Sequence, residues 1–448
     1  TRRQSAPPPP PDLTPSTSGT KMPLLLRRLA GAVSAPLRRS LCTAASRPPW
    51  AMVYSWAALD ASAAPSPGAR ATFDLDAAPY ISQISVPAHL ADGMDFAAAS
   101  VRATSSDGLL LLDLAETRHG PRPPPHLPDF VDTAMLHQMA AAGAATELDV
   151  TRFVCNPLSG QLFRLPVPDL GVAKASTPFG LLTQPDGAHG PPGRFVVAQL
   201  SFRAGDNRAV VRRFLSETGE WDDQLPMPCF VPSRMPPLQS FQIHTSHDVL
   251  AFGGRLWWFD VTWGAISVDP FSDRSDIRFV ELPQGSVQSN IGTEDRMVLG
   301  KRRIMGVSEG KLRYIEMCTE KEPFMIRSFA LDDEGCCWKL TRESTLTMVL
   351  PNKAKPQAGH LPWIAAIDPF DANILYFDLG HTVFAMDMAK KKAIKSRSCP
   401  DSIEALGICR SSAFYLPCVL PTWLQSCYIS SAGTRNDVFI ISDSLNVL

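Results

Sequence analysis

The 448-residue chain is short of charge: Asp, Glu, Lys and Arg make up 19% of it, against the ~25% usual in soluble domains. No uninterrupted apolar run approaches the ~18 residues a membrane-spanning helix needs, which excludes a helical span. Its ten cysteines contain no C-x-x-C pair, so neither a zinc ribbon nor a dense disulfide framework is written along the chain. Scattered thiols in a reducing compartment, most of them small buried apolar residues, fit better. The adjacent Cys336 and Cys337 cannot bond to each other without strain and precede Trp338 in an expected strand. No G-x-G-x-x-G, G-x-x-x-x-G-K-[ST] or G-x-S-x-G occurs, so the common signatures of dinucleotide, nucleotide and hydrolase chemistry are missing.

What the chain does have is proline, 41 residues, or about 9% against an average near 5%. Proline removes a donor and clashes inside helices, which argues against a mainly helical protein. Hydrophobic residues are 45% and mean hydropathy is −0.03, enough apolar material for a core and too much for whole-chain disorder. The net charge of −1 hides an asymmetry. Residues 1–50 carry eight basic side chains and one acid, Asp12, so the remaining 35 basic and 43 acidic groups leave a body at −8. Such a body is a poor general binder of phosphate backbones, whose affinity comes from Lys and Arg neutralising charge.

Residues 1–21 are low-complexity, with the run Pro7 to Pro11. From Met22 the chain is rich in Arg (Arg27, Arg28, Arg38, Arg39, Arg47) and has no acid until Asp60. Leu25, Leu29 and Val33 share one side of a helix at i, i+4, i+8. Arg-rich, Ser-containing and acid-poor sequence describes an organellar transit peptide over 22–50. The paired arginines favour a mitochondrial address, with plastid or cytoplasm as alternatives.

Beyond this leader a unit recurs: a β-rich run, a polar turn, then a strand opening on a packing residue. It appears at 153–166, 211–226, 265–283, 326–343 and 383–396, anchored by Asn156, Ser216, Asp269, Asp332 and Asp387. Asn, Ser or Asp at the first turn position hydrogen-bonds backbone further along the turn. Gly160, Gly219 and Gly335 supply the positive φ that hairpin turns require, and Leu162, Trp221 and Trp338 follow as packing residues. Further strand-like runs at 193–202, 253–263, 310–318 and 371–379 lie between the hairpins. An earlier run, 96–116, with its Ser106-Asp107-Gly108 turn, fits a first unit. Four strands per unit predict an all-β, β-propeller-like domain of roughly six blades over 65–430; paired β-sandwiches are the alternative. Leu256 and Trp258 alternate with Trp257, Phe259 and Val261, giving a strand with two apolar faces, hence a central one. Residues 129–145 are rich in Ala, Met and Leu and predict one short inserted helix behind a Pro-rich loop at 121–128. Residues 350–362 are read as a loop. The organisation expected is a disordered extension over 1–64, the propeller-like domain, and a strand or tail over 431–448.

The segments SETGEW (216–221), GRLWWFDVTWG (254–264) with DPF (269–271), GVSEGKLRYIE (306–316), CNPLSGQLFRLP (155–166) and DPFDANILYF (368–377) resemble the plant, grass-expanded domain of unknown function 1618 family. The resemblance covers roughly 75–400. The run Ala251-Phe252-Gly253-Gly254-Arg255 departs from the family's His-x-Gly-Arg. Membership implies a β-rich body related in style to the domains that follow F-boxes in plant adaptors, and implies no established enzymatic activity. No F-box pattern is visible before residue 75.

Candidate chemistry is sparse. His244 and His247 form an H-x-x-H pair without further ligands nearby, so a surface loop is favoured over a metal site; His360 and His381 are isolated. Ser216 reads as a turn former. Asp222-Asp223 and Asp332-Asp333 read as solvated turn carboxylates, since catalysis would need a shared pocket that separates their pKa values. Lys301-Arg302-Arg303 and Lys390-Lys391-Lys392, with Lys395 and Arg397, are basic runs; the second suits a protected strand edge. Trp257, Trp258 and Trp263 are assigned to packing between blades rather than to a stacking platform. No catalytic, cofactor or metal residue is assigned. The expected protein is a non-enzymatic binding scaffold with a protein partner. The alternatives are an enzyme at the central channel, or a substrate-receptor adaptor lacking its own F-box.

Overall fold

The computed structural model describes residues 47–65, 68–90, 96–118, 147–168, 178–185, 190–202, 209–224, 249–273, 276–288, 292–319, 323–346, 361–379, 382–398 and 415–429. The expectations for the leader before residue 47, the helix at 129–145, most of the 350–362 loop, the four histidines and the 431–448 tail all lie outside them.

The body is nearly all strand. The chain opens with β1 (Trp50–Tyr54), β2 (Trp56–Asp60), β3 (Thr72–Asp74) and β4 (Ile81–Pro87). Four-stranded antiparallel meanders follow. The first is β5 (Phe96–Thr104), β6 (Leu110–Arg118), β7 (Glu147–Cys155) and β8 (Leu162–Arg164). The second is β9 (Phe179–Pro185), β10 (Pro192–Phe202), β11 (Ala209–Leu215) and β12 (Glu220–Gln224). The third is β13 (Val249–Phe252), β14 (Arg255–Asp260), β15 (Gly264–Val268) and β16 (Ile277–Glu281). Helix α1 (Thr293–Arg302) leads into the fourth, β17 (Arg303–Ser308), β18 (Lys311–Cys318), β19 (Met325–Leu331) and β20 (Trp338–Thr345). The fifth is β21 (Trp363–Ile367), β22 (Ile374–Leu379), β23 (Thr382–Asp387) and β24 (Lys392–Ser398). The last strand is β25 (Tyr415–Val419).

The first strands of successive units touch in a closed ring: β5 meets β9, then β13, β17, β21 and β25 in turn, and β25 returns to β5. This is a six-bladed β-propeller. Its sixth blade is made from both ends of the chain. Strand β25 pairs antiparallel with β1 from Trp50↔Val419 to Tyr54↔Tyr415; β1 runs parallel to β4, and β4 pairs with β3. At Ser55, whose carbonyl accepts the Val101 amide at 2.6 Å, the amino-terminal stretch passes onward. Strand β2 then joins β4 to β5 and welds the sixth blade to the first. Trp50–Tyr54 and Trp56–Asp60 are therefore strands of the propeller, inside the stretch assigned to a disordered extension ending at 64. These strands find partners on β25, far away in sequence, so local pattern does not reveal them.

The core lies in the seams between blades. Leu256 and Trp258 pack with Leu182, Val196 and Val211 of the second blade. The opposite face of the same strand, Trp257, Phe259 and Val261, packs with Met305, Leu312 and Tyr314 of the fourth. Burying each such large side chain stabilises by about 1.5–3 kcal/mol. Indole N–H groups stitch the seams: Trp221 donates to Pro166 O at 2.7 Å, Trp338 to Glu281 O at 2.9 Å and Trp258 to Pro178 O at 3.1 Å.

The turn logic holds. All five anchors sit between third and fourth strands. Asp387 Oδ1 accepts the amides of Ala389 and Lys390 at 2.9 Å, Asp269 Oδ1 that of Phe271 at 3.0 Å, and Asn156 Oδ1 that of Leu158 at 3.1 Å. Asp332 Oδ1 accepts from Cys336 at 2.8 Å. Ser216 differs: its hydroxyl accepts from Phe195 on the neighbouring strand β10 at 2.9 Å. Gly160, Gly219 and Gly335 have φ of 72°, 74° and 72°.

Candidate functional site

In a propeller, loops from every blade gather at the two ends of the ring, and recognition residues concentrate on such loops. The connections between blades reach the ring where β9, β13, β17, β21 and β25 begin, at Phe179, Val249, Arg303, Trp363 and Tyr415. That end carries α1 with a group of charged and aromatic side chains around it.

Helix α1 has Asp295 in its first turn and Lys301 and Arg302 in its last, complementing the helix dipole at both ends. It contacts β17, β18 and β21. Beside it β14 ends at the fully buried Asp260. One carboxylate oxygen of Asp260 accepts the Thr262 amide at 2.7 Å and hydroxyl at 2.5 Å; the other lies 3.6 Å from Arg296 Nη1. Arg303 leaves the helix in extended conformation. Its guanidinium donates to Val261 O at 2.5 Å and stands 3.9 Å from Glu316. Glu316 accepts the Tyr314 hydroxyl at 3.0 Å. Burial, reinforced by the Glu316 charge, pushes the Tyr314 phenol well above its ordinary range. Burial and then Glu316 raise the Cys318 thiol to about 11.

Toward the sixth blade the surface turns aromatic. Lys301 Nζ lies 4.7 Å from the centre of the Trp363 ring, a cation–π contact. The Tyr415 hydroxyl donates to Asp378 at 2.8 Å, and Tyr54 packs between Tyr415 and Trp56 with ring centres 6.1 and 6.3 Å away. Val298 on α1 and Leu379 at the end of β22 are exposed apolar residues at this same end, at 39% and 36%.

The sequence candidates are dispersed. Of the first basic run, Arg303 is buried structure, while Lys301 and Arg302 remain on the gathering face. The second run occupies the β23–β24 turn and β24, where Lys390 pairs with Asp387 at 2.8 Å. Asp222 and Asp223 are strand residues, not turn carboxylates: Arg213 and Arg212 hold them at 2.8 and 2.7 Å across β11–β12. Asp333 does sit at its turn, 3.1 Å from Lys311. Trp257 and Trp258 are core, and Trp263 is half-buried against it. Among the described residues no three His, Cys, Asp or Glu side chains converge to hold a metal ion.

Sequence reasoning missed α1 and the aromatic group of Tyr54, Trp56 and Tyr415. The acid-to-base gradient of TEDRMVLGKR (293–302) was a usable signal for α1. The aromatic group had none, because its members come from opposite ends of the chain.

The family described as "F-box protein At3g26010-like, beta-propeller" matches residues 135–427. No curated protein sequence matches the chain. Similar solved structures include an α-L-arabinanase of Penicillium chrysogenum, at 10% identity and TM-score 0.32, covering 75% of this chain and 82% of that one. The Cps50 (Swd1) β-propeller domain of Myceliophteria thermophila gives 10% identity and TM-score 0.31, covering 67% and 71%. An α-L-arabinofuranosidase of Fusarium graminearum gives 8% identity and TM-score 0.33, covering 79% and 87%.

Proposed function

The chain belongs to the F-box protein At3g26010-like β-propeller family, and from that premise we propose that it is a non-enzymatic scaffold that binds a protein partner on the α1 face. The observation that carries this reading is the mixed character of that face. Exposed Val298 and Leu379 lie beside half-buried aromatics and cations, the composition from which protein contacts are built. Its buried carboxylates Asp260 and Glu316 are engaged with Thr262, Tyr314 and arginines, which favours a structural role for them over acid–base work. Within the family, the finer kinship we propose is with the domain of unknown function 1618 proteins. The leader at 22–50 directs the chain to mitochondria in this reading, with plastid and cytoplasm as the alternatives that imaging a fluorescent fusion separates.

Affinity purification of the tagged full chain from its own cells, with the compartment recorded, is the test. A stable partner retained by the wild type and lost by the double variant Val298→Glu/Leu379→Glu is the expected result. A partner retained equally by both, or a copurified small molecule that the protein turns over, overturns the reading, the latter in favour of an enzyme. The family name also keeps a second reading in view, a substrate-receptor adaptor that works with an F-box on another polypeptide. It predicts ubiquitin-ligase subunits in the same eluate.

A further inference from the structure

Cysteine is among the residue types most often buried in folded proteins. Among the described residues Cys155, Cys418 and Cys427 follow that rule and Cys318 is half-buried, whereas Cys336 and Cys337 are both exposed. They lie on the turn between β19 and β20, just after Gly335 with its φ of 72°. Asp332 fixes both residues. Its Oδ1 accepts the Cys336 amide at 2.8 Å and the Cys337 amide at 3.1 Å, and its own amide donates to Cys337 O at 2.9 Å. The Cys336 thiol reaches Glu334 O at 3.5 Å. Two water-facing thiols are thereby held on neighbouring residues, each the nearest second reactant for the other.

A bond between such neighbours is strained. Disulfides ordinarily span Cα atoms about 4.4–6.8 Å apart, but consecutive Cα atoms across a trans peptide are about 3.8 Å apart. Closing Cys336 onto Cys337 therefore distorts the peptide between them, which carries the Cys337 N–H. Strained and exposed disulfides are the easily reduced ones, so this pair suits reversible chemistry and not a permanent cross-link. The charge around it acts in the same direction. Asp332, Asp333 and Glu334 outnumber the neighbouring Lys311 and Lys339, so a negatively charged group attached to either sulfur is repelled. A mixed disulfide there is pushed to resolve on the adjacent thiol.

We propose that Cys336 and Cys337 are a redox-modification site, a dithiol that small disulfides of the glutathione class close reversibly into a vicinal disulfide. The thiolate of one cysteine attacks a sulfur of glutathione disulfide, and one glutathione thiolate leaves. The second cysteine, its proton lost to water, attacks the protein-bound sulfur, forms the Cys336–Cys337 bond and expels the second glutathione. The two protein thiols are oxidised, and the glutathione disulfide is reduced to two glutathiones. Closure takes the Cys337 amide off Asp332, next to Trp338, whose indole donates to Glu281 O across the seam of the third and fourth blades at 2.9 Å. The turn thus carries the redox state of the compartment to a blade seam, whether or not a partner binds the α1 face.

The test equilibrates the full chain in glutathione buffers from fully reduced to fully oxidised, blocks the remaining thiols with iodoacetamide and maps peptides by mass spectrometry. The peptide holding Cys336 and Cys337 is expected to become two hydrogens lighter and unalkylated as the oxidised fraction rises, and to revert in excess reduced glutathione. Cys336→Ser and Cys337→Ser each leave one thiol and are expected to carry glutathione instead. In the closed wild type the Cys337 amide should exchange with deuterium about tenfold faster, while the double variant Cys336→Ser/Cys337→Ser shows no change between the buffers. Two alkylated thiols at every buffer ratio, or stable glutathione on the wild-type pair, overturns the site. So does a bond that excess reduced glutathione leaves intact, or one from either sulfur to another cysteine or a second chain. Closure with unchanged exchange at Cys337 overturns the coupling to the turn.

Discussion

The second to fifth blades and the closing region solve the same problem in opposite ways. Each of those four blades is a contiguous meander, every strand antiparallel to its neighbour in sequence. The turns before the fourth strands are closed by Asp269, Asp332 and Asp387 in three of them, and Gly219 and Gly335 supply a positive φ in two. The closing region draws β25 from the carboxy-terminal end and β1 to β4 from the amino-terminal end, uses parallel pairing, and spreads across two blades. It is then fastened from outside. Asn156 Nδ2 donates to Leu424 O at 2.7 Å and Cys427 O at 3.0 Å, and Gln161 exchanges two bonds with Ile429 at 3.0 and 2.9 Å. Local contacts hold a meander together even before the ring is complete, whereas closure has only long-range contacts, which carry the full loop-closure cost.

The most severe way to break this comparison is to hollow a regular seam. Trp258 is fully buried, so Trp258→Ala is expected to cost about 3–5 kcal/mol, read by denaturant unfolding as one cooperative transition. Asn156→Ala attacks the fastening instead. It removes the side-chain donor from Cys427 O and from Leu424 O, which keeps the Cys427 amide at 3.3 Å, at about 1–3 kcal/mol. Hydrogen exchange should accelerate in β25 and β1 while β14 keeps its protection; uniform acceleration in all three would mean that closure is no weaker than a meander.

Thiol chemistry sharpens the same contrast. Burial raises the Cys418 thiol to about 12 and lifts Cys155 further, with Cys418 adding to the latter. Both belong to the closing core, whereas Cys336 and Cys337 are exposed at a meander turn. In iodoacetamide at pH 8 the exposed pair should be alkylated first. Asn156→Ala should bring Cys418 labelling forward without changing Cys336, as peptide mass mapping will report.

The smallest effect is a pH dependence within a meander. Burial opposes ionisation of Asp276, but hydrogen bonds and charge from Arg255 and Arg278 outweigh it and hold the carboxyl down to about 2. A depressed acid contributes stability that is present above its unfolded value and lost as pH falls through the folded one. Wild type should therefore lose melting temperature between about pH 4 and pH 2, beyond the loss seen in Asp276→Asn. Parallel curves for the two proteins would remove Asp276 from the account.

Legibility followed the range of the interactions. Asn156, Ser216, Asp269, Asp332 and Asp387 could be read as one register because a turn is closed by atoms a few residues apart. Strand β14 (Arg255–Asp260) could be read as central because both of its faces are apolar. Trp50–Asp60 was read as extension because its partners lie on β25 and β4 and its Ala-rich neighbourhood resembles a linker. Asp222 and Asp223 were read as turn residues because Arg212 and Arg213, which hold them, belong to the strand before.

By itself the sequence determined the repeating hairpin, its turn residues, the all-β character and the two-faced strands, since each is set by spacing and by chemistry within one unit. Only tertiary structure decided how the ring shuts and which arginines find carboxylates. Those outcomes depend on which distant strands become neighbours, and a guanidinium's partner is chosen by proximity in space, which the order of residues along the chain leaves open.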